Sequence, residues 1–209
     1  MTKTALIDYG AGNLSSVANA LKALGADPEV ISSPGGLEGA SRVILPGVGS
    51  FGDCMAELGA RGLTGPLRRW LAEGRPYLGI CLGYQILFES SEESPGIKGL
   101  RALPGKVVRF KDTTPGVKIP HMGWNAAVPS RPGGGCWAGL GDEPYFYFVH
   151  SYFPVPEDPA VTAATTVHGG RTFAAAVEGT NLLACQFHPE KSQDAGLRLI
   201  RNFLAAHPA

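Results

Sequence analysis

The chain has 209 residues, 44% of them hydrophobic, and its 18 Lys and Arg residues are matched by 18 Asp and Glu residues. This length and composition predict one globular domain over 1–209 with a sizeable core, and they exclude a disordered chain. The balanced charge gives no reason to expect nucleic acid or an anionic membrane as a partner, and no apolar run reaches the ~20 residues that would span a bilayer.

The first half of the chain alternates between short strands and helices. Four predicted strands are rich in Val, Ile and Leu: 4–8, 28–32, 42–45 and 77–80. Apolar residues from Leu14 to Leu24 recur on one helical face, and Gly25 stands where a helix C-cap belongs. A second helical stretch lies near 53–73. Strands and helices that alternate with short connections predict a parallel sheet with helices on both faces.

The middle of the chain, from Gly105 to Ala176, has short β-like runs separated by Pro and Gly. The segment "SRPGGG" (130–135) is typical of a surface loop. The segments "YFYFVHSYF" (145–153) and "TFAAAVEG" (172–179) are expected to add to the sheet as antiparallel strands. The predicted fold is therefore α/β, with an open, mixed, mostly parallel sheet, helices on both faces and an antiparallel flank.

The end of the chain returns to the strand–helix pattern. A strand "LLACQF" (182–187) is followed by a turn at His188-Pro189 and a helix. Ser192 is expected to cap this helix. Four apolar residues are predicted to form its buried face: Leu197, Ile200, Phe203 and Leu204.

The cysteines form no CxxC pair and no Cys/His cluster with zinc spacing, so we expect no structural metal. The N-terminus lacks an export signal, so a disulfide framework is not expected either, and the predicted compartment is the reducing cytoplasm. Cys54, Cys136 and Cys185 are assigned to packing.

Cys81 interrupts this pattern, because it lies between strand and helix in "GICLG" (79–83). The pentapeptide has the form of a nucleophile elbow, G-x-S-x-G, with Cys in place of Ser. Glycines on either side relieve crowding at the strained turn, and the helix that begins there places partial positive charge near the sulfur. The amide of Leu82 would face a developing oxyanion. On the pentapeptide alone, a buried structural cysteine remains an equal alternative.

His188 and Glu190 give this cysteine a base and an orienting group. They follow a predicted strand in "CQFHPEKSQ" (185–193), and in a parallel sheet that strand end can lie beside the one that carries Cys81. A lone His is more often structural, but this His occurs together with an elbow, which favours catalysis.

The segment "PGVGSFG" (46–52) contains a G-x-G-x-x-G match from Gly47 to Gly52. No strand-ending acid follows ~20 residues later to hold a ribose, so a dinucleotide site is not favoured. The preferred interpretation is a turn whose Val48 or Gly49 amide faces Cys81 as the other half of an oxyanion hole.

Together, "PGVG", "GICLGYQ" and "QFHPEKS" resemble the class I glutamine amidotransferases, the family with a catalytic triad. Four segments are similar to its glutaminase subunits of imidazole glycerol phosphate synthase: "IDYGAGNLSSV" (7–17), "PHMGWN" (120–125), "YFVHSYF" (147–153) and "CQFHPEKSQ" (185–193). The resemblance runs from about residue 4 to 205. Tyr84 is a small departure, since the family often has Met there.

The resemblance implies that Cys81 attacks the side-chain amide of L-glutamine, with His188 as base and Glu190 as its orienting group. Gln85 resembles the glutamine that holds the substrate in the family. The backbone of His150, Ser151 and Tyr152 resembles the clamp on its amino-acid end. No cofactor is implied.

The resemblance also implies a partner, because the chain has no room for an ammonia acceptor of its own. That partner is the cyclase subunit, a (β/α)₈ barrel, which would form a heterodimer with this chain and use the ammonia to make imidazole glycerol phosphate and an aminoimidazole ribotide. Four residues are candidates for the interface, although each could be ordinary surface or core: Asn13, Trp124, Tyr147 and Lys191. The resemblance further implies low activity until the partner binds its ligand. Our hypothesis for this is that the Pro46–Gly49 loop, with Val48, presents the wrong face to the oxyanion until the interface rearranges.

Three alternatives remain at this stage. The same chemistry could serve another acceptor, although those subunits would lack "YGAGN" and "PHMGWN". A stand-alone cysteine hydrolase would need no partner, and a non-enzymatic interaction module would tolerate loss of Cys81. His121, His168 and His207 have no assigned role.

Overall fold

The computed structural model describes residues 3–111 and 117–207. The first half contains β1 (Lys3–Ile7), α1 (Leu14–Ala23), β2 (Pro28–Ile31), β3 (Ala40–Gly47), α2 (Phe51–Ala60), α3 (Thr64–Ala72), β4 (Tyr77–Cys81) and α4 (Leu82–Gln85). The middle contains β5 (Ser90–Ser91), β6 (Gly105–Arg109), β7 (His121–Ala126), β8 (Val128–Pro129), β9 (Tyr145–His150) and β10 (Tyr152–Pro156). The last part contains β11 (Thr162–His168), β12 (Arg171–Glu178), β13 (Leu182–Cys185) and α5 (Gln193–Ala206).

Among the residues that the structure describes, eight strands form the main sheet in the order β2-β1-β3-β4-β13-β12-β11-β8. The strands from β2 to β13 are parallel, and β12, β11 and β8 continue the sheet in antiparallel fashion. This confirms the predicted mixed sheet with an antiparallel flank.

Helices cover both faces of this sheet, because alternate residues of its strands point to opposite sides. In β1, Ala5 and Ile7 join an apolar cluster with residues of α2 and α3. Leu6 lies between them and joins a second cluster with residues of α1 and α5. Each face of the sheet is thus buried under its own helical layer.

The predicted place of segment 145–153 in the main sheet is wrong. Its first part, β9, pairs with β7 in a separate two-stranded sheet, and β10 pairs with β6 in a three-stranded sheet. Alternating aromatic residues correctly indicated strands but could not name the partners, and β11 and β8 occupy the end of the main sheet. The prediction for 172–179 is confirmed, since β12 pairs antiparallel with β13.

One detail of the helices in the first half differs from expectation. The stretch near 53–73 is two helices, which are separated around Gly62 in a left-handed conformation with φ of +70°. Gly25 does end α1, with φ of +80°. None of the helices among the described residues is long and apolar enough to cross a membrane.

The C-terminal helix also differs in part. Ser192 precedes α5, but its hydroxyl makes no capping bond; it donates to the His188 carbonyl at 2.6 Å and accepts from the Tyr147 amide at 3.0 Å. The cap prediction is therefore wrong, because this hydroxyl ties β9 to the turn that carries His188. Ile200 and Phe203 are buried as predicted, whereas Leu199 was missed. Leu197 and Leu204 are only partly buried.

Candidate active site

Cys81 occupies a strained turn between β4 and α4. Its φ of 54° and ψ of −103° are rare for a residue with a side chain, and such strain is typical of functional turns. The neighbouring glycines are required by space: a Cβ at Gly83 would collide with the Leu45 carbonyl oxygen, and one at Gly79 would lie 2.6 Å from the Gly83 carbonyl oxygen. The elbow geometry therefore follows from the sequence as predicted. The helix after it has only four residues, so its dipole contributes less than expected.

His188 follows β13, which lies beside β4 in parallel register. Its Nδ1 donates to Glu190 Oε1 at 2.8 Å, and both side chains are almost completely buried. Burial alone would lower the pKa of His188, but Cys81 and Glu190 outweigh it and raise that pKa to about 10. Because Nδ1 carries a proton, Nε2 is the basic atom of the neutral ring.

The Nε2 atom of His188 is buried and makes no hydrogen bond among the described residues. The Cys81 sulfur is near enough to His188 to raise the pKa of that ring. Loose nucleophile–base contacts are common in unliganded active sites. The imidazole thus has one fixed side, at Glu190, and its other nitrogen, Nε2, on the side of the thiol; with the pKa of the ring at about 10, that nitrogen holds the proton that it exchanges with Cys81.

The loop after β3 places Val48 and Gly49 beside the nucleophile. The Val48 N–H donates to the Tyr9 hydroxyl at 3.1 Å, and that hydroxyl donates to the Val48 carbonyl at 3.2 Å. Burial raises the pKa of Tyr9, so the hydroxyl is neutral and can both donate and accept. In this conformation the Val48 amide therefore faces Tyr9, while its side chain is 41% exposed. Gly49, with φ of +100°, follows.

A cavity of about 350 Å³ opens above the nucleophile. It brings together nine of the residues predicted from sequence: Val48, Gly49, Cys81, Leu82, Gln85, His150, Ser151, Tyr152 and His188. Glu190 lies behind His188, out of the cavity. Three lining residues were missed: Glu93, Pro120 and Val149. Glu93 belongs to the acidic run "ESSEES", which is typical of a solvated surface. Only its position in the fold therefore identifies it as a residue of the cavity.

The amino-acid clamp predicted at 150–152 is fixed by hydrogen bonds. The Tyr152 carbonyl accepts from Gln85 Nε2 at 3.0 Å and from His150 Nδ1 at 2.8 Å. With both lone pairs used, this carbonyl is not available to a ligand. It holds the side chains of Gln85 and His150 in place instead.

His121 and His168, which had no assigned role, pack beside this clamp. Their rings stack at 4.1 Å, and His121 Nδ1 lies 3.1 Å from His150 Nε2. Burial lowers the pKa of His121 to about 4 and that of His150 to about 3. Since His150 Nδ1 donates to a carbonyl, its neutral ring accepts at Nε2, and His121 is the donor between them. His207 is remote, and its carbonyl accepts from Arg42 at 2.8 Å.

The predicted interface residues lie around the β7–β9 pair. Trp124 and Tyr147 are cross-strand partners with ring centroids 6.3 Å apart. Trp124 is 48% exposed, and two neighbours that were not predicted, Met122 and Tyr145, are 62% and 56% exposed. We call these four residues the ribbon face. The remaining candidates lie in segments that contact each other: Asn13 precedes α1, and Lys191 is in the 3₁₀ turn Pro189–Lys191.

The other three cysteines are buried and free, as expected for packing. Burial raises the pKa of the Cys54 thiol to about 12, and it also raises those of Cys136 and Cys185. A buried neutral thiol is a poor nucleophile. Within residues 3–111 and 117–207, no group of three or more His, Cys, Asp or Glu side chains is arranged to hold a metal ion.

Comparison with known proteins gives three concordant findings. The family model described as "Glutamine amidotransferase class-I" matches residues 5–206. The "Imidazole glycerol phosphate synthase subunit HisH" of Microcystis aeruginosa is 48% identical over 204 residues, which is 98% of this chain and 95% of that protein. The protein of the same name from Trichodesmium erythraeum is 49% identical over 205 residues, again 98% and 95%.

Among solved structures, one described as a glutamine amidotransferase has a TM-score of 0.73 and 23% identity, covering 97% of this chain and 98% of its own. The PurLQS structure from Thermotoga maritima has a TM-score of 0.72 and 19% identity, with 98% of each chain covered. At these identities the likeness establishes the fold.

Proposed function

This chain belongs to the class I glutamine amidotransferase family, and on that premise we propose that Cys81, His188 and Glu190 are its catalytic triad. Its function is that of a glutaminase subunit of imidazole glycerol phosphate synthase, an enzyme of histidine biosynthesis. One observation supports the triad most directly. Adjacent parallel strands end at Cys81 and just before His188, and the Nδ1 atom of His188 lies 2.8 Å from the buried carboxylate of Glu190.

The reaction follows from that arrangement. His188 Nε2 accepts the thiol proton, and the Cys81 sulfur attacks the side-chain carbonyl carbon of glutamine. The tetrahedral intermediate expels ammonia, which takes a proton from His188, and a γ-glutamyl thioester remains on Cys81. Water, deprotonated by His188, then attacks the thioester and releases glutamate and the thiol. Glu190 stabilises the imidazolium in both halves.

The oxyanion of each tetrahedral intermediate needs N–H donors. We assign one to the Leu82 amide and the other to the Val48–Gly49 loop. Because the Val48 N–H is bonded to Tyr9, this loop must turn before it can serve. Gly49 makes that turn inexpensive, since glycine accepts either sign of φ. We therefore propose that the conformation described here is a resting state of low activity.

The cavity also suits the amino-acid end of glutamine. Both hydrogens of the Gln85 NH₂ group are used inside the protein, at Tyr152 and at a second buried amide, so its carbonyl oxygen is the group left to accept from a ligand. Glu93 adds a carboxylate, which attracts an ammonium group. We assign Gln85 and Glu93 to the substrate's polar end, together with the backbone of 150–152 apart from the Tyr152 carbonyl.

The chain works with the cyclase subunit of the synthase, as the names of its relatives imply. We propose that the ribbon face docks on that (β/α)₈ barrel in a heterodimer, so that ammonia passes to it without entering solvent. The ribbon face has the exposed aromatic residues that anchor protein interfaces, and its Val149 neighbour lines the cavity. We place the reaction in the cytoplasm, whose reducing conditions keep the catalytic thiol free.

The test is glutamate release from L-glutamine by the purified chain, alone and with the cyclase subunit and its ribotide ligand. We expect strong stimulation by the liganded partner, abolished by Cys81→Ala and unaffected by Cys136→Ala, which removes a buried thiol remote from the cavity. Full activity without the partner would contradict the partner-gated assignment and favour a stand-alone cysteine hydrolase. Activity that survives Cys81→Ala would contradict the triad.

A further inference from the structure

Gln186 lies behind the nucleophile, and the reaction described above does not use it. Its side chain is completely buried, and it follows β13 two residues before His188. Its Nε2 donates to Cys81 Sγ at 3.6 Å, and its Oε1 accepts from Gln85 Nε2 at 3.1 Å. Both ends of this buried amide are thus bonded to residues of the active site.

The direction of these hydrogen bonds is set by a backbone carbonyl. The Tyr152 oxygen can only accept, so the Gln85 atom 3.0 Å from it is the NH₂ group. The same NH₂ group reaches Gln186, which must therefore present its carbonyl oxygen to Gln85. The opposite end of the Gln186 amide, its NH₂ group, consequently faces the sulfur. The fold delivers a donor, and not an acceptor, to Cys81.

From this geometry we propose that Gln186 is a positioning residue that holds the Cys81 sulfur in place and stabilises its thiolate. A hydrogen bond to an ionised acceptor is stronger than one to the neutral group, so this N–H favours the thiolate over the thiol. The bond also links the nucleophile to Gln85, the side chain assigned to the substrate. The inference rests on the proposed function, because it concerns the same nucleophile.

Other titratable groups near the sulfur remain in place when Gln186 is changed. They are Tyr9, His150, Cys185, His188, Glu190 and, across the cavity, Glu93. Burial raises the pKa of Tyr9 and of Cys185, so both stay neutral, and His150 is neutral because burial lowers its pKa to about 3. Because the substitutions below leave all of these groups in place, a difference in the pH dependence of thiol reactivity between wild type and a Gln186 variant reports on the bond from Gln186 to Cys81.

Two substitutions separate the effect of the Gln186 NH₂ donor from the effect of the side chain's shape. Gln186→Met keeps the approximate volume but removes both polar groups. Gln186→Glu keeps the shape and the acceptor for Gln85 and, at the alkaline pH where its buried carboxyl is ionised, places a carboxylate oxygen at the sulfur. Thr166→Val is the matched control: it deletes another buried hydrogen bond, from Thr166 Oγ1 to the Ala126 carbonyl, on β11.

The first readout is the rate at which iodoacetamide alkylates Cys81 in the full chain as a function of pH, with the modified peptide identified by mass spectrometry. Loss of one hydrogen bond to a charged acceptor predicts that the midpoint of this profile moves up by about one pH unit in Gln186→Met. Gln186→Glu is expected to shift it further despite its preserved shape. Thr166→Val should leave the profile unchanged.

The second readout is glutamine turnover in the complex with the liganded cyclase subunit. We expect kcat to fall about tenfold in Gln186→Met and further in Gln186→Glu, with the KM of Gln186→Glu within about threefold of wild type. If Gln186→Met is poorly folded, Gln186→Glu carries the test alone. A wild-type profile and wild-type kcat in Gln186→Glu would overturn the role of Gln186 and leave the triad standing. Failure of the triad would appear separately, as activity in Cys81→Ala.

Discussion

Replacing Tyr9 with Phe should activate the isolated chain, because the Tyr9 hydroxyl holds the Val48 peptide away from the nucleophile. The substitution removes one oxygen atom from a buried ring and keeps the rest of its packing. It deletes the hydroxyl's two hydrogen bonds with Val48, from its N–H at 3.1 Å and to its carbonyl at 3.2 Å, together with a contact to the Cys54 thiol on α2 that does not hold the loop. The Val48 N–H then lacks its acceptor, which favours a turn toward the cavity, where water or an oxyanion can accept its hydrogen bond.

The size of the effect follows from those two bonds. Each hydrogen bond contributes about 0.5–1.5 kcal/mol net, so the resting conformation of the loop is destabilised relative to the turned one by about 1–3 kcal/mol. At 1.36 kcal/mol per factor of ten, the equilibrium moves toward the turned loop by about 5- to 150-fold. The glutaminase rate of the chain alone should rise by a factor in this range. The rate with the liganded cyclase subunit should change by no more than about twofold, since the loop is already turned there.

The assay is steady-state glutamate release by wild-type and Tyr9→Phe chains, each alone and in the activated complex. Tyr84→Phe is the matched control, because it removes the hydroxyl of another buried tyrosine, one that donates to the Ala174 carbonyl at 3.4 Å and not to the Val48 loop. Equal basal rates in wild type and Tyr9→Phe would refute the restraining role of Tyr9. So would activation of the same size by Tyr84→Phe.

Three further predictions concern charge and the partner surface. Glu190→Gln should lower kcat strongly, and in thermal melts it should destabilise the fold more at pH 6 than at pH 10. The reason is that the pKa of His188 is raised to about 10 in the folded protein. The pairing of His188 with Glu190 therefore stabilises the fold fully below about pH 6.5, and this contribution is lost as pH rises through the folded pKa. The wild-type free energy of unfolding should fall as pH is lowered from 6.5 to 4, because burial holds His121 neutral with a pKa of about 4. In urea titrations, the dependence of this free energy on pH should be less steep in His121→Gln, by up to about 1.4 kcal/mol per pH unit. An unchanged pH dependence would contradict this. Trp124→Ala should weaken cyclase binding by at least about tenfold in calorimetry, with the melting temperature of the free chain unchanged; wild-type affinity would exclude the ribbon face as the interface.

The geometry of the proposed triad could be predicted from sequence, because Cys81 ends β4 in a local elbow signature and His188 and Glu190 follow β13 in one short segment. Glycines at 79 and 83 indicated the elbow, and the structure shows that both positions lack space for a Cβ. The parallel arrangement of β4 and β13 then follows from the strand–helix alternation, and it brings Cys81 and His188 to one edge of the sheet. Local pattern and topology were sufficient for this part of the site.

Other parts of the site depend on contacts that no local pattern encodes. Gln186 stands in the apolar strand segment "LLACQF", where a polar residue has no visible partner until β4 and α4 are packed beside it. Tyr9 is separated from Val48 by 39 positions, so its hold on the loop is invisible in either motif. The pairing of β9 with β7 was missed for the same reason: alternation shows a strand and its faces but not its neighbour.

The most direct test of the central claim is covalent labelling of the chain by an electrophilic diazoketone analogue of glutamine, with the modified residue mapped by peptide mass spectrometry. Such a compound reacts with the nucleophile that the glutamine site presents to it. The triad predicts one label, on Cys81, at a rate that glutamine suppresses and that the liganded cyclase subunit increases. A label on another residue, or labelling of Cys81 that glutamine does not suppress, would contradict the assignment of Cys81 as the nucleophile of a glutaminase.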